Sequence, residues 1–173
     1  MVLIEKLKSK VFTNSIWMMS EKLISIFGLI FVTSFVAKYI GPENFGKLTF
    51  ASSIFAIIQT IAMFGSENII FQKTAENRRL GEYIIVSTKI IRDILYLSFS
   101  SLTLFYIYYV ADYLTFVFSL ATSIAIYFAV HDVYLIYFNA ILQSKINAYC
   151  NILALIISLI IRYCIAKDRK SVV

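Results

Sequence analysis

Long apolar runs without a charged residue constrain this chain more than any other feature of its sequence. Residues 48–66 carry no charge over 19 positions, and residues 94–111 and 113–130 carry none over 18 positions each. About 20 apolar residues in a helix cross the hydrocarbon core of a bilayer, which is roughly 30 Å thick. The chain is therefore predicted to be a polytopic membrane protein.

Composition favours the same prediction. Apolar residues make up 60% of the 173 positions and charged residues 15%, whereas a soluble domain carries roughly 25% charged residues. A single compact core cannot bury that much apolar surface in a chain of this size. Strands of a membrane barrel would need about ten residues of alternating polarity, but these runs are longer and apolar on all sides. We expect an all-α transmembrane bundle of about five helices.

Polar residues between the runs set the predicted boundaries. A cytoplasmic N-terminus over residues 1–13 precedes a transmembrane domain over residues 14–166, and a short basic tail follows over residues 167–173. The most polar internal stretch, residues 67–82, is interpreted as a loop. The transmembrane helices are predicted at about 14–38, 46–67, 83–111, 113–142 and 146–166.

Positive charges beside the spans predict the orientation. With the N-terminus in the cytoplasm, eight Lys and Arg residues lie on that side up to Ile161, against Lys38 and Lys47 on the other. This bias follows the positive-inside rule, so the net charge of +6 is explained by topology and no nucleic-acid partner is expected. Five crossings would leave Lys167, Arg169 and Lys170 outside, which the rule disfavours. We therefore favour a chain cut short of a larger protein.

Ionisable residues within or beside the spans are the candidates for function, because charges in lipid are costly and tend to face a bundle interior or a wet cavity. Glu21 and Lys22 lie about two turns into the first helix and point about 100° apart. Lys22 is a candidate for attracting a phosphate, and Glu21 for carrying a proton. The alternative is that both extend towards the inner headgroups.

Four further residues complete the set of candidates. Arg92 opens the third helix and is interpreted either as a headgroup anchor or as a ligand contact. Arg162, in the fifth helix, is either an outer-interface anchor or part of a cavity. His131 and Asp132 follow 18 apolar residues. They are interpreted either as a proton relay or as a satisfied polar pair in a helix that continues into the cytoplasm.

Other chemistry is not expected. The chain has no Gly-rich phosphate loop, nucleophile elbow or paired-His metal motif, so we expect no catalytic residues, no metal and no cofactor. Cys150 and Cys164 lack metal-ligand spacing and are interpreted as small apolar residues. Helix four carries a stripe of hydroxyl side chains, which either packs against another helix or lines a cavity. The stripe consists of Thr115, Ser119, Thr122 and Ser123.

The chain resembles a known family over about residues 10–165. Asn14-Ser15-Ile16-Trp17, Glu21-Lys22 and the segment Val36–Gly46 are similar to the opening of polysaccharide flippases of the O-antigen transporter type. These belong to the multidrug/oligosaccharidyl-lipid/polysaccharide exporter superfamily. The turn Gly41-Pro42-Glu43-Asn44-Phe45-Gly46 is the most specific part of the resemblance. Family members commonly have Arg where this chain has Lys38.

The resemblance implies a flippase that translocates a lipid-linked oligosaccharide across the bacterial inner membrane. Its partners would be the lipid bilayer, the lipid-linked substrate and other membrane proteins of polysaccharide assembly. The family fold has two lobes around a central cavity and works by alternating access. The chain is expected to be either such a flippase at full length or an inactive N-terminal fragment of one. Its five helices supply less than one lobe of the family fold. The alternatives are an exporter of small drugs or of another lipid-linked precursor, and a membrane scaffold that transports nothing.

Overall fold

The computed structural model describes the backbone of residues 2–170 and the side chains of residues 9–161. The described residues form helices and no strand, which confirms the predicted all-α fold. The helices are α1 (Val2–Met63), α2 (Ser66–Glu76), α3 (Arg78–Val110), α4 (Tyr113–Val130), α5 (Tyr134–Ala140) and α6 (Ser144–Lys170).

Four stretches are long and apolar enough to cross a membrane, as expected of a multi-pass membrane protein. They are Ser9–Met63, Arg78–Val110, Tyr113–Ala140 and Ser144–Ile161. The first contains 55 residues, or about 80 Å of helix, which is more than twice the thickness of a hydrocarbon core. It therefore holds enough helix for two of the five predicted crossings.

A single residue interrupts α1. Gly41 has φ 82° and ψ 163°, a combination that is open essentially to glycine alone. Pro42 then restarts the helix at a position where its missing N–H costs nothing. The predicted turn over residues 41–44 is thus reduced to one non-helical residue, and helix continues through Glu43 and Phe45.

The polar stretch predicted as a loop is helical instead. Phe64 and Gly65 both adopt positive φ and end α1, after which α2 occupies Ser66–Glu76 and α3 begins at Arg78. The α2 helix buries Ile70 and Thr74, and most of its other polar residues are exposed, namely Glu67, Asn68, Gln72 and Glu76. Polarity alone suggested a loop because the buried face of this short helix has only those two members.

The fourth predicted helix, over residues 113–142, is divided in two. The α4 helix ends at Val130, residues 131–133 form a turn, and α5 occupies Tyr134–Ala140. The division falls on the polar pair His131 and Asp132, which interrupts the apolar run.

The chain forms two compact units. The first holds Met1–Val36 and Leu142–Val173, so it pairs the beginning of α1 with α6. The residue numbers of the contacting pairs rise together on the two helices. Asn14 contacts Ser144, Glu21 contacts Asn151, and Gly28 lies close to Leu155. The two helices therefore run parallel.

The second unit, Ala37–Ile141, contains the end of α1 together with α2 to α5. Its core is one apolar cluster to which all five helical segments contribute. The buried members are Phe55, Ile58, Ala62, Met63, Ile70, Ile85, Tyr96, Val130, Val133 and Tyr137.

A seam of hydroxyl groups joins α3 to α4 inside this unit. The Tyr96 hydroxyl donates to the Ser123 carbonyl oxygen over 2.6 Å, and the hydroxyls of Ser100 and Ser123 are 2.6 Å apart. All four members of the predicted hydroxyl stripe on α4 are buried. In this unit the stripe packs between helices, which is the first of the two alternatives that the sequence left open.

Candidate functional site: a buried ionisable cluster

Ionisable side chains of the second unit lie along α3 and on the α4–α5 segment beside it. We call Glu82, Arg92, Asp93, His131 and Tyr137 the ionisable cluster. Glu82, Arg92 and Asp93 lie on α3, His131 lies in the turn after α4, and Tyr137 lies on α5. Two direct contacts cross between helices, Asp93 with His131 and Glu82 with Tyr137. Arg92 and Tyr137 are buried, Asp93 and His131 are partly buried, and Glu82 is exposed.

Arg92 is the most enclosed charge of the cluster, with 3% of its surface exposed. One guanidinium nitrogen, Nη2, donates to the Ile85 carbonyl oxygen over 3.2 Å, but Nε and Nη1 are buried without a hydrogen-bond partner. Burial on this scale does not fit the headgroup-anchor interpretation. An enclosed guanidinium with two unpartnered nitrogens, which together carry three N–H groups, is energetically costly.

His131 faces two acceptors at once. Its Nδ1 lies 2.9 Å from the Tyr127 carbonyl oxygen, and its Nε2 lies 2.7 Å from Asp93 Oδ1. Because a carbonyl oxygen only accepts, Nδ1 carries the hydrogen of the first contact. The second contact is at ion-pair distance, although its atoms are not aligned as a hydrogen bond. The predicted partner Asp132 is exposed, so the structure brings His131 together with Asp93 rather than with its neighbour.

A second contact links α3 to α5. The Tyr137 hydroxyl donates to Glu82 Oε1 over 2.6 Å, and Tyr137 is 7% exposed. Glu82 and Asp93 were not predicted as site residues, since Glu82 fell in the supposed loop and Asp93 at the entrance of a span. Spacing offers a way to find Asp93: it precedes Asp112 by as many residues as His131 follows it, so a hairpin at Asp112 places the two side by side.

Arg92 and Asp93 lie well inside the apolar part of α3. One face of α3 is apolar and exposed at intervals of three or four residues, at Tyr83, Val86, Ile90, Ile94 and Leu97, from 71% exposure at the first to 56% at the last. This face is the one expected to meet lipid. It begins nine residues before Arg92, which is about 14 Å along the helix. Arg92 is therefore a charge within the apolar part, on the protected side.

The other end of the α3–α4 hairpin carries an exposed polar group. Asp112 accepts from the Thr115 hydroxyl over 2.6 Å and from Lys47 over 2.9 Å. The Thr115 hydrogen bond and then Lys47 lower the pKa of Asp112 from 3.8 to about 2. Lys47 also lies 3.2 Å from Glu43 of the family-like turn. Lys47 thereby connects this turn to the hairpin. At the end of the turn, a Cβ added to Gly46 would contact no other atom within 4 Å.

The first unit holds the remaining candidates. Glu21 is 6% exposed and its Oε1 accepts from the Asn151 amide over 2.7 Å, whereas Lys22 is exposed. The side chain of Arg162 lies outside the described residues. Of the two neighbours, Glu21 is thus the one that faces the other helix, and a contact of Lys22 with substrate stays a prediction.

Comparisons with known proteins give no further assignment: no family model, no curated protein and no solved structure matches this chain. Within the part of the chain that the structure describes, no three His, Cys, Asp or Glu residues are grouped as metal ligands. What the described residues offer chemically is a buried cation, an acid–imidazole pair and a tyrosine–carboxylate pair. Side chains of these kinds can bind anions and exchange protons.

Proposed function

We propose that this chain belongs to a transporter that moves a lipid-linked oligosaccharide across the bacterial inner membrane. The multi-pass helical fold and the resemblance around Gly41–Gly46 support the proposal. The observation that carries it is Arg92, a guanidinium enclosed in the apolar part of α3, of which two nitrogens have no hydrogen-bond partner. Ionisable groups at such positions are characteristic of substrate and ion pathways.

Alternating access supplies a use for an enclosed cation. In the described conformation no ligand reaches Nε and Nη1 of Arg92, because both atoms are buried. An anionic group, such as the phosphate of a lipid-linked sugar, would reach them in a second conformation in which α3 separates from its neighbours. Two bundles that rock against each other around a central site produce such a change.

The Asp93–His131 contact supplies a group that responds to protons. The contact joins α3 to the turn between α4 and α5, with Asp93 Oδ1 2.7 Å from His131 Nε2. A contact between a carboxylate and an imidazole is stronger when the imidazole is charged. Coupling of transport to proton movement would act through this contact. The site candidates of this proposal are therefore Arg92 for the anion and the Asp93–His131 pair for the proton.

Deletion and complementation test the proposal. We expect a strain that lacks the native gene to lose its surface polysaccharide and to accumulate the lipid-linked repeat unit. The wild-type gene should restore polysaccharide, whereas Arg92→Gln should restore less than a tenth of it at equal protein level. Lys89→Gln removes an exposed charge one turn away on the same helix and serves as the matched control.

Each alternative has its own outcome in this test. Unchanged polysaccharide with a new sensitivity to toxic compounds would indicate an exporter of small molecules and contradict the proposal. Unchanged polysaccharide without any transport defect would indicate a scaffold. Equal complementation by Arg92→Gln and Lys89→Gln would leave the flippase but remove Arg92 from its mechanism.

A further inference from the structure

We infer that the corner formed by α2 and the first turns of α3 binds the headgroups of anionic phospholipids at the membrane surface. The surface is defined by Arg78 and Arg79 together with the exposed side chains of Phe71, Leu80 and Tyr83, and we call it the arginine corner. The inference rests on the membrane fold and is independent of the transported substrate.

The two arginines are uncompensated by protein carboxylates. Neither forms an ion pair within the described part of the chain. The nearest carboxylates in the sequence on either side interact with other residues. Glu76 pairs with Lys73 at 2.8 Å, and Glu82 accepts a hydrogen bond from Tyr137 at 2.6 Å. The corner therefore presents two positive charges to its surroundings.

Helix stability does not explain these arginines. They occupy the first two positions of α3, whose first turn contains no acidic residue. The N-terminal end of a helix carries the positive pole of its dipole, so basic residues there are unfavourable and acidic ones are preferred. Asn77 already caps the helix by accepting from the Arg79 N–H over 3.0 Å. The positive charges thus oppose the helix unless an external anion meets them.

Exposed apolar side chains lie close in sequence to the two charges, on α2 and in the first turns of α3. Phe71 is 46% exposed, Leu80 47% and Tyr83 71%. Tyr83 is also where the exposed apolar face of α3 begins, one turn after Arg79. Basic and aromatic side chains at the beginning of a lipid-facing stripe match the two parts of a phospholipid, the charged headgroup and the acyl chain.

This continuity decides the class of partner. A soluble acidic protein or a nucleic acid would complement the charges but would leave Phe71 and Tyr83 in water. A lipid surface accepts both, because the apolar stripe continues without interruption from Tyr83 into the apolar part of α3. Anionic phospholipid is therefore the occupant that charge and apolar exposure favour together.

Reconstitution in lipid nanodiscs tests the inference. The protein is placed in nanodiscs of phosphatidylcholine alone or with phosphatidylglycerol, and thermal unfolding and the lipid retained in native mass spectrometry are measured. We expect phosphatidylglycerol to raise the melting temperature of the wild type and to be retained by it. Arg78→Gln with Arg79→Gln should weaken that retention by roughly 30-fold, as two basic residues near an anionic surface contribute. The effect should shrink in high salt.

A double variant of equal charge change provides the control. Lys38 and Lys145 are also exposed, and Lys38→Gln with Lys145→Gln removes two positive charges away from the corner. Retention should fall at least tenfold less in this control than in the arginine variant. Equal losses in the two variants, or a wild type that retains phosphatidylglycerol no better than phosphatidylcholine, would overturn the inference. The inference would also be overturned if a soluble polyanion raised the melting temperature of the wild type, but not of the arginine variant, in phosphatidylcholine nanodiscs. That result would indicate a soluble partner.

Discussion

Gly81 marks a close approach between α2 and α3, and it shows how one residue determines the position of a helix. A Cβ at this position would overlap Thr74 Oγ1 and would lie 2.9 Å from the Thr74 Cα. Rotation of the threonine side chain relieves the first overlap but not the second, which involves backbone. Glycine is therefore required here by packing, since no positive φ is involved.

We predict that Gly81→Ala destabilises the protein. Overpacking costs about 1–3 kcal/mol, which exceeds the helix-propensity gain of up to about 1 kcal/mol for alanine over glycine. Thermal or denaturant unfolding in detergent micelles measures the loss. Gly46→Ala is the matched control, because a Cβ at Gly46 meets nothing within 4 Å. If both variants unfold alike, α2 does not pack on α3 as described.

Asp112 should make the protein sensitive to acid. Its pKa in the folded protein is about 2, against 3.8 as the ordinary value, so the charged form is favoured by folding. The stabilisation is fully present above about pH 4 and is lost as the pH falls towards 2. Melting temperatures measured between pH 5 and pH 2 should fall less steeply in Asp112→Asn than in the wild type. Identical slopes would show that Thr115 and Lys47 do not hold this carboxylate.

At the scale of helices, the uncharged runs of the sequence predicted the apolar helical segments well, whereas the positions of polar residues predicted the helix boundaries poorly. The run at 94–111 corresponds to the later part of α3, which ends at Val110, and the run at 113–130 coincides with α4. The helix α2 was missed because its buried face consists only of Ile70 and Thr74. A buried face that small leaves little periodicity in an otherwise polar stretch.

The ionisable cluster was partly accessible to sequence reasoning. Arg92 was identified because it lies at the entrance of an uncharged run, and His131 because it lies between two apolar runs, and both are local properties of the sequence. The contact between Asp93 and His131 follows from the hairpin, in which both lie the same number of residues from Asp112. Predicting the contact between Glu82 and Tyr137 would have required knowing that the helix breaks between Val130 and Tyr134. No local pattern in the sequence predicts the position of that break to within a residue or two.

We predict an energetic coupling between Asp93 and His131. In a double-mutant cycle with Asp93→Asn and His131→Gln, the two changes should deviate from additivity by about 0.5–3 kcal/mol, as expected for residues in direct contact. Unfolding in micelles at neutral pH provides the measurement. The cycle of Asp132→Asn with His131→Gln is the control, because Asp132 is exposed. Additivity for Asp93 with coupling for Asp132 would restore the pair originally expected from the sequence.

At the scale of the whole molecule, the pairing of α1 with α6 was beyond the reach of the sequence. Asn14 accepts from the Ser144 N–H over 2.9 Å, and Glu21 accepts from Asn151 over 2.7 Å. These partners are 130 residues apart, and nothing local in either segment identifies the other. Polar residues in apolar helices indicated that partners exist, but only the three-dimensional structure shows which ones.

The orientation of the chain in the membrane provides the last prediction. Asp112 lies in the turn after α3, and Arg79 lies in the first turn of the same helix. The 33 residues of α3 span about 50 Å, so we expect these two positions to lie on opposite sides of a bilayer. The positive-inside rule assigns the Arg79 end to the cytoplasm, because Arg78, Arg79 and Lys89 outnumber the single Lys47 beside Asp112.

Single cysteines at these two positions test the orientation in a background in which Cys150 and Cys164 are replaced by serine. A membrane-impermeant thiol reagent applied to cells with a permeable outer envelope should label Asp112→Cys and not Arg79→Cys. Disrupting the inner membrane should then allow both to react, which controls for the accessibility of each thiol. Labelling of Arg79→Cys alone in intact cells would invert the topology. It would also place the arginine corner on the leaflet opposite to the one that the charge bias selects.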